Sequence, residues 1–292
     1  MADVSSRGRV FAWGLWDWGS SAYNAVILTF VFSVYLTDAV GRGLPGPIDA
    51  GAWLGYAIGA AGLLIALAAF TRAVAEGFAY LELDVHASAD AVAVVHHDAA
   101  LDRTTDGTGP LSAQTAAELA NVRVRGREPI PRLAEVLEAL PETRITIELK
   151  SAAVVEPTLA AVDAARAWDR VCIGGFEQAW VDAARRGGGE RLCTSMAKRD
   201  ILALRMRAWL RGALPLPLRG DVAHVPVSAG PIRVVDASLL GTAHANGREV
   251  HVWTIDAPER MRALLDLGVD GLLSDRPDLL REVLRERGQW PT

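Results

Sequence analysis

Tyr80 to Gly109 reads YLELDVHASADAVAVVHHDAALDRTTDGTG. Its first part, from Ala79 to Val85, alternates with period two, as a half-buried strand does. Glu82 and Asp84 stand two apart, so on a strand both carboxylates leave the same face. Ser88, Ala89 and Asp90 read as a turn, and Ala91 to Val95 as a second short apolar strand. That strand runs into His96-His97-Asp98 and then into a polar loop, Leu101 to Gly109. Two carboxylates on one face suit a hard divalent cation, which takes oxygen ligands. A histidine at a neighbouring strand end is placed to move protons beside it.

From Phe70 onward the composition is that of a soluble α/β protein. Thr71 to Gly77 closes a helix that feeds the strand at Ala79. Ser112 to Leu119 reads as a short helix with Ser112 as its N-cap, and Pro131 to Leu140 as an amphipathic one with proline in its first turn. Strands are expected at Arg144–Leu149, Val171–Gly174, Arg191–Ser195, Val222–Val227, Val250–Ile255 and Asp270–Leu273. Helices fill most of the gaps, notably Pro157–Trp168, Pro258–Leu267 and Pro277–Arg287. Alternating strands and helices indicate parallel βα units. With the two strands of the opening stretch there are eight candidates. Lys198 to Arg219 is cationic and interleaved with Leu, Met and Trp; it reads as a barrel helix with a solvated basic face or as a segment lying on an anionic membrane.

The blocks ELDVHASAD and VVHHDAALDRTTDGTG resemble the signature of glycerophosphodiester phosphodiesterases. The likeness continues through Ile147-Glu148-Leu149-Lys150, His251-Val252-Trp253-Thr254-Ile255-Asp256 and Gly268 to Pro277 (GVDGLLSDRP), in family order, over roughly residues 67 to 290. It implies a TIM-type (β/α)8 barrel and hydrolysis of a glycerophosphodiester to glycerol 3-phosphate and an alcohol. By the same resemblance Glu82, Asp84 and Glu148 hold Mg²⁺ or Ca²⁺. His97 is the catalytic histidine, Lys150 binds a phosphate oxygen and Trp253 lines the substrate mouth. His86, His224, His244 and His251 hold no motif position and read as surface or hydrogen-bonded core residues.

Residues 1–70 differ from all that follows. No charge occurs between Asp17 and Asp38, nor from Gly51 to Phe70, each run long enough to cross a bilayer as a helix. Trp13, Trp16 and Trp18 fall where an interfacial aromatic belt belongs, and Gly51, Gly55, Gly59 and Gly62 permit close helix packing. A transmembrane hairpin is therefore expected, with spans at about 18–37 and 51–70, followed by the barrel at 71–292. Arg7 and Arg9 place the N-terminus and, after two crossings, the barrel on the cytoplasmic side. Residues Ala12 to Thr37 also resemble the first helix of vacuolar-effluxer-like transporters of the major facilitator superfamily. Two helices cannot form a transport path alone.

The composition agrees with this division. Of 292 residues 51% are hydrophobic and nine are tryptophan, and the net charge of −5 gives no reason to expect a nucleic-acid partner. Cys172 and Cys193 lack metal-site spacing and read as buried thiols. One departure from the family matters most. Its opening strand, ending His-Arg-Gly, and the Pro-Glu-Asn-Thr loop after it have no counterpart here, for no His, Arg or Glu occurs between Gly43 and Thr71. A barrel without its first strand, an unpaired edge beside the second and severely reduced or absent activity are expected. The alternative is a non-catalytic membrane protein whose barrel binds phosphodiesters or a partner.

Overall fold

The computed structural model describes residues 11–14 and 70–290, apart from 125, 127, 211, 212, 214 and 215. Eight parallel strands form its wall: β1 (Phe11–Gly14), β2 (Tyr80–Ala87), β3 (Arg144–Leu149), β4 (Val171–Gly174), β5 (Cys193–Thr194), β6 (Val222–Pro226), β7 (Glu249–Trp253) and β8 (Gly271–Ser274). They follow one another in the order β5-β4-β3-β2-β1-β8-β7-β6. A parallel bridge from Ser195 to Val222 closes the ring, reinforced by Asp221 N donating to Thr194 O at 2.7 Å and Met196 N to Val222 O at 2.8 Å. Gly220 makes this closure possible. Its φ of +86° lies in the left-handed region, and a Cβ there would meet the Ser195 carbonyl at 2.9 Å.

The period-two pattern sorts the side chains. Leu81, Leu83 and Val85 of β2 are at most 3% exposed and join the layer between wall and helices, with Ile145, Ile147 and Leu149 of β3. Glu82, Asp84 and His86 leave the opposite face, into the barrel, as do Thr146 and Glu148 in matching register. The expected helices are present at Leu133–Ala139, Val155–Ala164, Gln178–Gly188, Ala237–Ala245, Pro258–Leu267 and Pro277–Glu286. Lys198–Trp209 forms a further helix, here α4 because it is the fourth of these in the chain. The stretch after the signature loop departs from expectation. Its cap is Thr115, in a reciprocal capping box with Glu118 over Ala116–Leu119, and Leu111–Ala113 is a separate 3₁₀ turn.

One open question and one correction concern the wall. Of the eight strand candidates, the one containing Ala93–Val95 lies outside the barrel, antiparallel on β2. The barrel is also not missing its first strand. Phe11–Gly14 stands between β2 and β8, paired from Phe11↔Gly271 to Gly14↔Ser274 on one side and at Gly14↔Leu81 on the other. The cause is the edge itself: β2 and β8 would otherwise present rows of unpaired N–H and C=O groups, which any short extended segment can satisfy. That segment restores the wall without restoring the family's His-Arg-Gly. The transmembrane spans expected at about 18–37 and 51–70 lie outside the described residues, save Phe70. No helix among the described residues is long and apolar enough to cross a membrane.

Candidate metal and active site

Parallel barrels carry their working groups at the C-terminal ends of the strands. Glu82 and Asp84 on β2 and Glu148 on β3 bring one carboxylate oxygen each within 4.8 Å of one another. Glu82 is the deepest, 6% exposed, and its Oε2 is buried without a hydrogen-bond partner. Burial, then the neighbouring charges of Asp84 and Glu148, push its carboxyl well above the usual range. Glu148 is raised chiefly by burial, an effect Lys150 opposes. Lys150 follows β3, and its Nζ reaches Asp84 Oδ1 at 2.8 Å and Glu148 Oε1 at 2.6 Å. Although burial disfavours its charge, these two carboxylates hold its ammonium above the ordinary lysine range. One fixed cation thus balances part of a three-carboxylate cluster and leaves an orphaned oxygen on Glu82. That donor set suits a hard divalent cation.

His97 leaves the strand end toward solvent, 64% exposed. Its Nδ1 is 2.6 Å from Asp98 Oδ1, and Arg103 grips the same carboxylate from the far side at 2.6 and 2.8 Å. The Arg103 hydrogen bond, with help from His97, depresses the Asp98 carboxyl strongly. With Nδ1 committed to that carboxylate, Nε2 is the ring atom left for a substrate. The imidazole is near enough to Glu148 to favour its ionised form. His96 turns the other way, as strand alternation requires; it is 8% exposed, 3.4 Å from Thr104 Oγ1.

Trp253, at the end of β7, lines a cavity of about 210 Å³ together with Glu148, Thr146, His224 and Phe176. Phe176 meets Trp253 edge to face at 6.0 Å and carries Lys150 Nζ 5.9 Å over its ring. The structure therefore brings together Glu82, Asp84, Glu148 and Lys150, sets Trp253 on the adjoining cavity, and leaves His97 at the rim. A wider cleft of about 820 Å³ includes Arg144, at the start of β3, and so lies at the opposite end of the barrel.

Sequence reasoning passed over one residue of the site, and read His224 and His251 as surface or hydrogen-bonded core residues, which they are. Phe176 lies outside every matched block. His224 and His251, partners in register on β6 and β7, stack at 5.1 Å, with His224 Nε2 and His251 Nδ1 3.2 Å apart and Glu249 3.1 Å beyond His251. Burial lowers the His224 pKa well below normal. Each histidine stands two residues before the end of its strand.

Comparison with known proteins agrees with this geometry. Residues 59–279 match the glycerophosphoryl diester phosphodiesterase family. A Mycobacterium tuberculosis protein named "Probable glycerophosphodiester phosphodiesterase 2" is 35% identical over 233 residues, 77% of this chain and 86% of its own. A glycerophosphodiester phosphodiesterase of Caldanaerobacter subterraneus is 28% identical over 76% of this chain and 92% of its own. Among solved structures, a phosphodiesterase from Oleispira antarctica in complex with the product sn-glycerol-3-phosphate superposes with a TM-score of 0.62 at 21% identity, over 75% of this chain and 90% of that one. This likeness carries the fold, and the family match carries the class of chemistry. The chain belongs to the glycerophosphoryl diester phosphodiesterase family and is a phosphoric diester hydrolase with that family's barrel.

Proposed function

We propose that this protein hydrolyses glycerophosphodiesters to glycerol 3-phosphate and an alcohol, with Mg²⁺ or Ca²⁺ held by Glu82, Asp84 and Glu148. The observation that carries the reading is the orphaned Oε2 of Glu82 inside a cluster of three converging carboxylates. A bound divalent cation supplies charge neutralisation at the phosphoryl oxygens. The protein's own groups do the rest. Lys150, whose ammonium sits among these carboxylates, would hold a phosphate oxygen. A water oxygen bonds to phosphorus as the P–O bond to the alcohol breaks. His97, oriented through Nδ1 by Asp98, delivers a proton from Nε2 to the departing alkoxide, and the water gives up a proton in turn. Trp253 and Phe176 wall the substrate on the cavity side and exclude water from it.

Turnover is slow in this reading, because β1 brings neither histidine nor arginine to the mouth. One proton-transfer group is typically worth about 10²–10⁴ in rate, and a phosphate clamp and a fourth metal carboxylate are missing beside it. The two charge-free runs between Asp17 and Phe70 support a membrane hairpin, with the barrel on the cytoplasmic side. The test is glycerol 3-phosphate release from glycerophosphocholine by the detergent-purified chain in Mg²⁺, Ca²⁺ or EDTA. Metal-dependent release lost in His97→Ala supports the reading. No release above that variant favours a barrel that binds phosphodiesters without cleaving them.

A further inference from the structure

Five large apolar side chains stand exposed among the described residues: Phe176 at 47%, Leu202 at 60%, Trp209 at 51%, Leu210 at 39% and Ile232 at 47%. All five belong to the segments that follow β4, β5 and β6, three successive strands of the wall. Exposed apolar residues scattered singly need no explanation, but a contiguous group does.

The group is gathered at the mouth. Phe176 lines the cavity shared with Glu148, and so do Lys198 and Ile201 in the first turn of α4. At the other end of α4, Ala208 O accepts from Ser238 Oγ at 2.9 Å, and Arg205 reaches Val234 O and Asp236 at 3.0 Å each. Val234, Asp236 and Ser238 follow the C-terminal end of β6, so both ends of α4 are pinned at the rim. Leu202 and Trp209, two helical turns apart, share its outer face with Arg199. Ile232 lies on the hairpin Ser228–Ala229/Ile232–Arg233, two residues before Val234, whose carbonyl Arg205 of α4 reaches.

Charge selects the occupant. Within a chain of net charge −5, residues 198–219 hold six basic side chains against one acid, Asp200, which is buried against Arg185. Arg205 is buried on Asp236 and Lys198 is paired with Glu177, which leaves Arg199 as the cation on the outer face of α4. Arg199 on α4 and Arg233 on the Ile232 hairpin are exposed beside these apolar residues in the chain. A second copy of the same face would meet its own positive charge, which opposes self-association. Apolar side chains ringed by arginine fit the boundary between anionic headgroups and acyl chains.

We propose that α4, the Ile232 hairpin and Phe176 form a docking surface for an anionic lipid bilayer, which holds the barrel mouth over lipid headgroups. Leu202, Trp209 and Ile232 enter the interface, and Arg199 and Arg233 meet anionic headgroups. Each such cation near the surface strengthens attachment about fivefold.

The test uses the full chain in a Cys172→Ala/Cys193→Ala background, with Leu202→Cys carrying an environment-sensitive NBD label. The label reads α4 alone, whatever else attaches the chain to vesicles. Vesicles of phosphatidylcholine are compared with vesicles containing about one phosphatidylglycerol in three. The expected result is a blue-shifted spectrum, quenched by nitroxide lipids, in the anionic vesicles only. Arg199→Glu with Arg233→Glu weakens the response at least tenfold. The same label at Glu142→Cys, before β3 at the opposite end of the barrel, keeps its aqueous spectrum. Three results overturn the proposal: an aqueous spectrum at position 202 in both vesicles, equal insertion without anionic lipid, or self-quenching with rising protein concentration in the absence of lipid, which assigns the face to a second copy.

Discussion

Lys150 donates to Glu148 at 2.6 Å, two residues back on the same face at the end of β3, and through the same ammonium reaches Asp84 on the neighbouring strand. The pair is the internal counter-charge of a cluster that otherwise holds three carboxylates and no partner for Glu82 Oε2. Lys150 therefore sits on two of the three carboxylates proposed to hold a divalent cation.

Lys150→Met removes that counter-charge. Breaking a largely buried ion pair costs about 3–5 kcal/mol, so the metal-free variant is expected to melt about 10 °C lower at neutral pH. Millimolar Mg²⁺ or Ca²⁺ restores much of the loss, because it neutralises the same oxygens. Differential scanning calorimetry in EDTA and in metal measures both effects; a variant as stable as the parent in EDTA contradicts this role.

Glu82→Gln is expected to act in the opposite sense. The raised carboxyl of Glu82 means that folding favours its protonated form. Its contribution is full below the unfolded carboxylate value, near about pH 4, and is lost as pH rises through the folded value. The variant escapes that loss, so in EDTA its melting temperature exceeds the parent's by a margin that widens from about pH 4 to about pH 8. In metal the order reverses, since saturating ligand adds about 2.7 kcal/mol at a hundred times Kd to the parent alone. A margin that is flat with pH contradicts the burial of this charge.

His97→Ala tests the proton donor apart from the fold. The side chain is 64% exposed, so the melting temperature is expected to change little. Turnover falls about 10²–10⁴-fold, and Asp98→Asn, which frees the ring but leaves it in place, has a smaller effect with the same sign. Equal loss of stability and rate in His97→Ala contradicts a purely chemical role.

The pattern of two and the order of the matched blocks made most of this barrel legible. Leu81, Leu83 and Val85 against Glu82 and Asp84 state in sequence which face is wall and which is mouth, and the structure follows them. Three things were not legible. Ala93–Val95 has the composition of a barrel strand, and only its antiparallel pairing excludes it. Phe11–Gly14 is placed by the edge it fills, a long-range demand that four local residues do not announce. Phe176 becomes part of the site through Trp253, 77 positions downstream.

The edge-filling role of Phe11–Gly14 has a direct consequence. Removing residues 1–14 bares β2 and β8 together, and open strand edges template association. In detergent, where the full chain stays monodisperse, the shortened chain is expected to self-associate, and to do so less when the Phe11–Gly14 segment is supplied as a peptide. Light scattering measures this; a monodisperse shortened chain contradicts the pairing.

The measurement that bears most directly on the hydrolase reading is the rate of glycerol 3-phosphate release as Mg²⁺ or Ca²⁺ is titrated into EDTA-stripped protein, in parallel with Glu82→Ala. Release that saturates with metal, runs well below the usual enzyme median of about 10 per second and vanishes in Glu82→Ala is the expected result. Release that persists in EDTA, or that Glu82→Ala leaves unchanged, contradicts a metal site built on Glu82, Asp84 and Glu148.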